Sequence, residues 1–127
     1  MAPPGRHDAP RILIVEDEEP IAEVVATVVE EAGYTPVVAA HGRAALELAR
    51  EQWPALLITD LMMPYLSGAE LIVALRAEAE ARGETTIPII LMTAASLSLA
   101  RAAGADAVLR KPFDLVQLED LLQRFLG

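Results

Sequence analysis

The chain has no cysteine, which excludes disulfides, thiolate metal sites and cysteine nucleophiles. It has no apolar stretch near the ~18 residues that a membrane span needs. Residues 1–10, from Met1 to Pro10, hold no hydrophobic segment and are not a secretory signal. They read as a flexible lead-in, leaving one domain over 11–127. There is no basic run: nine arginines are scattered, and Lys111 is the only lysine. Nineteen acidic residues against ten basic ones give a net charge of -9, which speaks against binding nucleic acid through phosphates. These absences fit a cytoplasmic protein without nucleic-acid or membrane partners.

At 127 residues and 54% apolar composition, the chain suits one globular domain with a sizeable core. Its hydrophobicity is concentrated in short runs. Ile12-Leu13-Ile14-Val15 leads into Glu16-Asp17, and Leu56-Leu57-Ile58-Thr59 into Asp60. Ile89-Ile90-Leu91-Met92 leads into Thr93, and Ala107-Val108-Leu109-Arg110 into Lys111. Such runs without alternation read as strands buried on both faces of a parallel sheet.

Helical patterns fill the intervals. Pro20 suits a first helical turn, and Ile21, Val24, Val25, Val28 and Val29 follow at helical spacing until Gly33. Thr35 to Ala39 is a short strand, and Ala44 to Gln52 a helix ended by Pro54, with Leu48 and Trp53 inside. Ala69 to Arg82 is a third helix closed by Gly83, and Ser96 to Ala103 a short fourth ended by Gly104. Asp114 caps a last helix running to about Phe125. The strands span Arg11 to Glu16, Thr35 to Ala39, Ala55 to Asp60, Ile87 to Met92 and Asp106 to Arg110. Five strands alternating with five helices predict an α/β fold: a doubly wound parallel sheet in the flavodoxin-like order 2-1-3-4-5. In that order strands 1 and 3 are neighbours, and the site lies at their carboxyl ends.

Glu16, Asp17 and Asp60 then share one crevice with Thr93 and Lys111. Three close carboxylates repel unless a cation compensates, and Mg²⁺ suits such oxygen ligands. Asp60 is the candidate nucleophile, because carboxylates accept phosphoryl groups covalently. Glu16, Asp17, Asp60 and the Met62 backbone carbonyl are the candidate metal ligands. Lys111 offers charge and Thr93 a hydroxyl to the phosphoryl oxygens. Each part alone has a bland reading: an acidic pair as a helix cap, a strand-ending Asp as a turn, Lys-Pro as a turn. His7 and His41 read as surface residues, Tyr34 and Trp53 as structural rings, and Glu18 and Glu19 as dipole partners of the first helix.

The chain resembles the receiver domains of two-component response regulators over about Arg11 to Leu126. The motifs are Ile12 through Glu18, Leu57 through Pro64, Gly68, Leu91 through Ala94, and Lys111-Pro112-Phe113. The resemblance implies that a histidine kinase or histidine phosphotransfer protein phosphorylates Asp60 in a Mg²⁺-dependent reaction. It implies that Glu16 and Asp17 are the acidic pair, and that Thr93 and Lys111 contact the phosphoryl group. It implies a switch without enzymatic turnover, apart from self-catalysed transfer and dephosphorylation.

Three departures accompany it. The family's usual aromatic, three positions before the lysine, is Val108 here. The Thr93–Lys111 segment is about one helical turn shorter than usual, so the fourth helix is stunted, displaced or disordered. The residues that flank the water path in this family are Met62 and Ala95, neither able to orient water, which leads us to expect slow self-dephosphorylation. The chain stops after the fifth helix, so the switch acts through a partner, passes phosphate onward, or is a piece of a larger regulator. A phosphatase or mutase would want a second Asp where Met62 stands. A phosphorylation-independent interaction domain on the same fold is the other alternative.

Overall fold

The computed structural model describes residues 9–127. The lead-in expected over 1–10 falls almost wholly outside them, but the Pro10 carbonyl already accepts a hydrogen bond from the Thr35 amide (2.9 Å), so sheet pairing starts two residues before the apolar run.

The elements are β1 (Arg11–Val15), α1 (Glu19–Glu31), β2 (Thr35–Ala39), α2 (Gly42–Glu51), β3 (Leu56–Asp60), α3 (Gly68–Arg82), β4 (Ile89–Thr93), α4 (Leu97–Ala102), β5 (Ala107–Arg110) and α5 (Leu115–Leu126). All five strands are parallel, in the order β2-β1-β3-β4-β5. The boundaries lie within two residues of the sequence reading. The largest shifts are at α2, which starts at Gly42, and at β4, which starts at Ile89.

Alternate residues of the central strands feed two separate cores, because successive side chains point to opposite faces. Leu13, Val15, Leu57, Ile89 and Leu91 pack with the inner faces of α2, α3 and α4. Ile12, Ile14, Leu56, Ile58, Ile90 and Met92 pack with Val25, Val28 and Val29 of α1 and Leu118 and Leu122 of α5. Every residue of β3 and β4 is buried, which is why these runs show no polar alternation. Burying one such Leu or Ile contributes about 1.5–3 kcal/mol. β2 is an edge strand, and only there does the sheet accept a proline, Pro36.

Local chemistry sets the helix ends. Ser67 and Glu70 form a reciprocal capping box at the start of α3, with bonds of 2.9 and 3.2 Å. Gly83 takes the left-handed conformation that ends that helix. α1 differs in one detail from the spacing argument: Val24 is exposed, because the buried stripe runs through Ala22, Val25, Val28 and Val29. Trp53 is half-buried, with the Arg82 guanidinium 5.1 Å from its ring centre.

Candidate phosphoacceptor and metal site

β1 and β3 are hydrogen-bonded neighbours, with Val15 opposite Thr59. The next residue of each, Glu16 and Asp60, therefore emerges side by side at the carboxyl edge of the sheet. Asp17 follows at the solvent side. One carboxylate oxygen from each of Glu16, Asp17 and Asp60 lies within 4.8 Å of the others. Glu16 and Asp60 are buried and Asp17 is exposed.

Lys111 reaches in from the far side. Its Nζ donates to Glu16 Oε1 at 2.8 Å and to Asp60 Oδ2 at 3.2 Å. Only 14% of its side chain is exposed. The other Glu16 oxygen accepts from the Glu18 amide at 3.1 Å. Burial pushes the Glu16 carboxyl above its ordinary value, and the bonds from Lys111 and Glu18 only partly offset this. Burial pulls the Lys111 ammonium down, but the bond to Glu16 and the charge of Asp60 outweigh it, so the net shift is upward.

Thr93 is fully buried at the end of β4, one residue beyond Met92, the register partner of Asp60. Its Oγ1 accepts from the Ala95 amide at 2.9 Å, and its carbonyl accepts from the Lys111 amide. It thereby ties the β4 loop to the lysine. Met62 lies in the loop after Asp60 with its side chain exposed. The site residues named from the sequence thus lie along one edge: Glu16, Asp17, Asp60 and Lys111 in direct proximity, Thr93 at the end of β4 and Met62 on the loop after β3.

Gly68, quoted from the sequence only as a motif residue, and Tyr65, which the sequence did not single out, both shape the acceptor loop. Gly68 starts α3 beneath the acceptor, where an added Cβ would meet the Asp60 carbonyl oxygen. Its amide donates to the Leu61 carbonyl at 2.8 Å, closing the loop that carries Met62. Tyr65, almost wholly exposed, has φ 71° in that loop. His41, read as a plain surface residue, caps α2 by accepting from the Ala44 amide through Nδ1 (3.2 Å). The fourth helix is stunted but formed, six residues long, and Val108 is half-buried on β5.

The donor set is all oxygen and carries three negative charges against one lysine, which fits a hard divalent cation such as Mg²⁺. A doubly wound parallel sheet with this crevice at the β1/β3 switch point defines an α/β protein built to handle a charged group at its carboxyl edge. The chain belongs to the response regulator receiver domain family, whose profile matches residues 12–123.

Among curated relatives, it is 40% identical over 114 residues to the phosphate regulon transcriptional regulatory protein PhoB of Klebsiella pneumoniae, covering 87% of this chain and 48% of that protein. It is 31% identical over 120 residues to the polar-differentiation response regulator DivK of Brucella ovis, covering 91% and 95%. The chain thus spans about half the length of PhoB and nearly all of DivK. Among solved structures, the chemotaxis protein CheY4 of Vibrio cholerae superposes with a TM-score of 0.82 at 33% identity, covering 93% of this chain and 99% of that one. A response regulator from Chloroflexus aurantiacus gives 0.83 at 30% identity, covering 94% and 98%. Among the described residues no helix is long and apolar enough to cross a membrane.

Proposed function

We propose that this chain is a phosphorylation-dependent signalling switch that accepts a phosphoryl group on Asp60 from a sensor histidine kinase or a histidine phosphotransfer protein. The carrying observation is the Lys111 ammonium shared between Glu16 and Asp60 in a buried acidic crevice. In the step proposed, an Asp60 oxygen attacks the phosphorus of a phosphohistidine. The new P–O bond forms as the P–N bond breaks, and the imidazole nitrogen leaves with the electron pair. Lys111 turns from the carboxylate to the phosphoryl oxygens, and the Thr93 hydroxyl, freed from the Ala95 amide, does the same. Mg²⁺, held by Glu16, Asp17, Asp60 and the Met62 backbone carbonyl, would supply the positive charge that three carboxylates otherwise lack. An open apolar groove of about 510 Å³ beside Lys111, lined by Pro20, Ile21, Val24, Phe113 and Leu115, offers the donor a seat next to the acceptor.

The protein is a cytoplasmic switch rather than an enzyme in this reading. It signals by protein contacts, and its own chemistry is limited to phosphoryl transfer and slow self-dephosphorylation. Neither the Met62 nor the Ala95 side chain offers a strong hydrogen-bonding group to an attacking water. Incubation with Mg²⁺ and acetyl phosphate or a cognate kinase, followed by intact mass, tests the assignment. A gain of one phosphoryl group that is lost in Asp60→Ala supports it. No adduct with a kinase, or one that persists in Asp60→Ala, refutes it. Loss of the adduct within seconds in Mg²⁺ alone would refute the slow-release part.

The six-residue α4 and Val108 favour a second reading, an interaction domain on the same fold that works without phosphorylation. Partner binding unchanged by Asp60→Ala would select it. The half-length match to PhoB supports a related reading, in which the chain is the receiver part of a larger regulator.

A further inference from the structure

We propose that Met62 is an oxidation site whose sulfoxide shortens the life of the phosphoryl group on Asp60. The inference rests on the function proposed above and concerns control of the same site. Three of the chain's four methionines lie in the described residues, and burial separates them sharply. Met62 is 67% exposed, whereas Met63 is 8% and Met92 0% exposed. The separation follows from the loop: Leu61 and Met63 turn into the core, so the residue between them faces solvent. Thioether oxidation follows exposure, so one of the three is open to attack.

The exposed thioether stands two residues past the acceptor carboxylate. The loop is pinned at its base by the Leu61 amide bond to the Met92 carbonyl and the Gly68 amide bond to the Leu61 carbonyl. The loops that follow Asp60 and Thr93 carry Met62, Ala94 and Ala95, whose side chains offer water no strong acceptor. In the oxidation, a peroxide transfers one oxygen atom to the Met62 sulfur. The sulfur loses two electrons, the O–O bond breaks, and the peroxide leaves as water or alcohol. The sulfoxide puts a polar S=O acceptor on the loop that follows Asp60, from which it can hold and orient a water against the acyl phosphate.

The test treats the full chain with graded hydrogen peroxide, maps sulfoxides by peptide mass, and follows phosphoryl loss from treated and untreated protein. The expected map shows Met62 converted before Met63 and Met92. The expected kinetics show loss severalfold faster after treatment, restored by methionine sulfoxide reductase. In Met62→Leu, treated and untreated protein should lose phosphate at the same rate. Conversion of Met92 or Met63 alongside Met62 overturns the site. Selective conversion with an unchanged lifetime, or a peroxide effect that persists in Met62→Leu, overturns the control. If the untreated chain takes no phosphoryl group, the proposed function fails and the control with it, while the map still decides the site.

Discussion

Replacing Lys111 by methionine removes the cation while keeping most of the side-chain volume. Lys111 bonds two carboxylates at 2.8 and 3.2 Å, with side chains 14%, 0% and 9% exposed for Lys111, Glu16 and Asp60. Each contact is worth about 5 kcal/mol gross at an effective dielectric near 20, and desolvation of the three groups offsets much of it. Stripping one partner from a buried ion pair typically costs about 3–5 kcal/mol, because the remaining charge stays buried. Slight exposure of the lysine places Lys111→Met at the low end, about 3 kcal/mol, or roughly 10 °C in melting temperature for a chain of this size.

The pH dependence gives the cause away. The Lys111 pKa is raised on folding, so its contribution is fully present below 10.5 and disappears as pH climbs through the folded value. The Glu16 pKa is also raised, so its ionised form opposes folding above 4.5, and that cost fades as pH falls through the folded value toward 4.5. Loss of Lys111 raises it further. The stability gap between wild type and Lys111→Met should therefore be widest between these ranges and shrink at both extremes. Urea unfolding in metal-free buffer across pH measures it. A gap under about 1 kcal/mol at neutral pH, or one that ignores pH, would refute the assignment of Lys111 as the charge holding this crevice together.

Mg²⁺ at about a hundred times its dissociation constant should stabilise the fold by about 2.7 kcal/mol, and Glu16→Gln or Asp17→Asn should reduce the gain; thermal melts with and without Mg²⁺ check this. Gly68→Ala forces a Cβ toward the Asp60 carbonyl oxygen, and the loop must shift; a loss of about 2 kcal/mol or more is expected in urea unfolding, with weaker Mg²⁺ binding as the acceptor moves. Tyr65→Asn places a residue tolerant of φ 71° at that position and should stabilise by about 0.5–1 kcal/mol, since the exposed ring contributes no packing.

The chemistry of the crevice could be read from residue order because a parallel sheet sends every strand's carboxyl end to one edge. Glu16, Asp60, Thr93 and Lys111 each follow an apolar run, so identifying the strands gathered the residues. Loop geometry was less accessible. Tyr65 in the left-handed region carries no local signal, and Gly68, though part of the motif, shows nothing locally of its close approach to the Asp60 carbonyl. His41 as an α2 cap shows the same limit: Nδ1 is a rare capping acceptor, and its role depends on how the preceding loop turns.

By itself the sequence determined the strand and helix periods and the residue types gathered at the carboxyl edge, because these follow from hydrophobic spacing and strand direction. Only the tertiary structure decided how charge is shared there. It placed one ammonium between Glu16 and Asp60, left Asp17 facing solvent, and turned Met62 outward while Met63 went into the core. The reason is physical: periodicity fixes the direction in which a backbone points, whereas a long side chain chooses its partner from what other segments bring within reach. Lys111 and Glu16 are 95 residues apart and meet only when β5 completes the sheet.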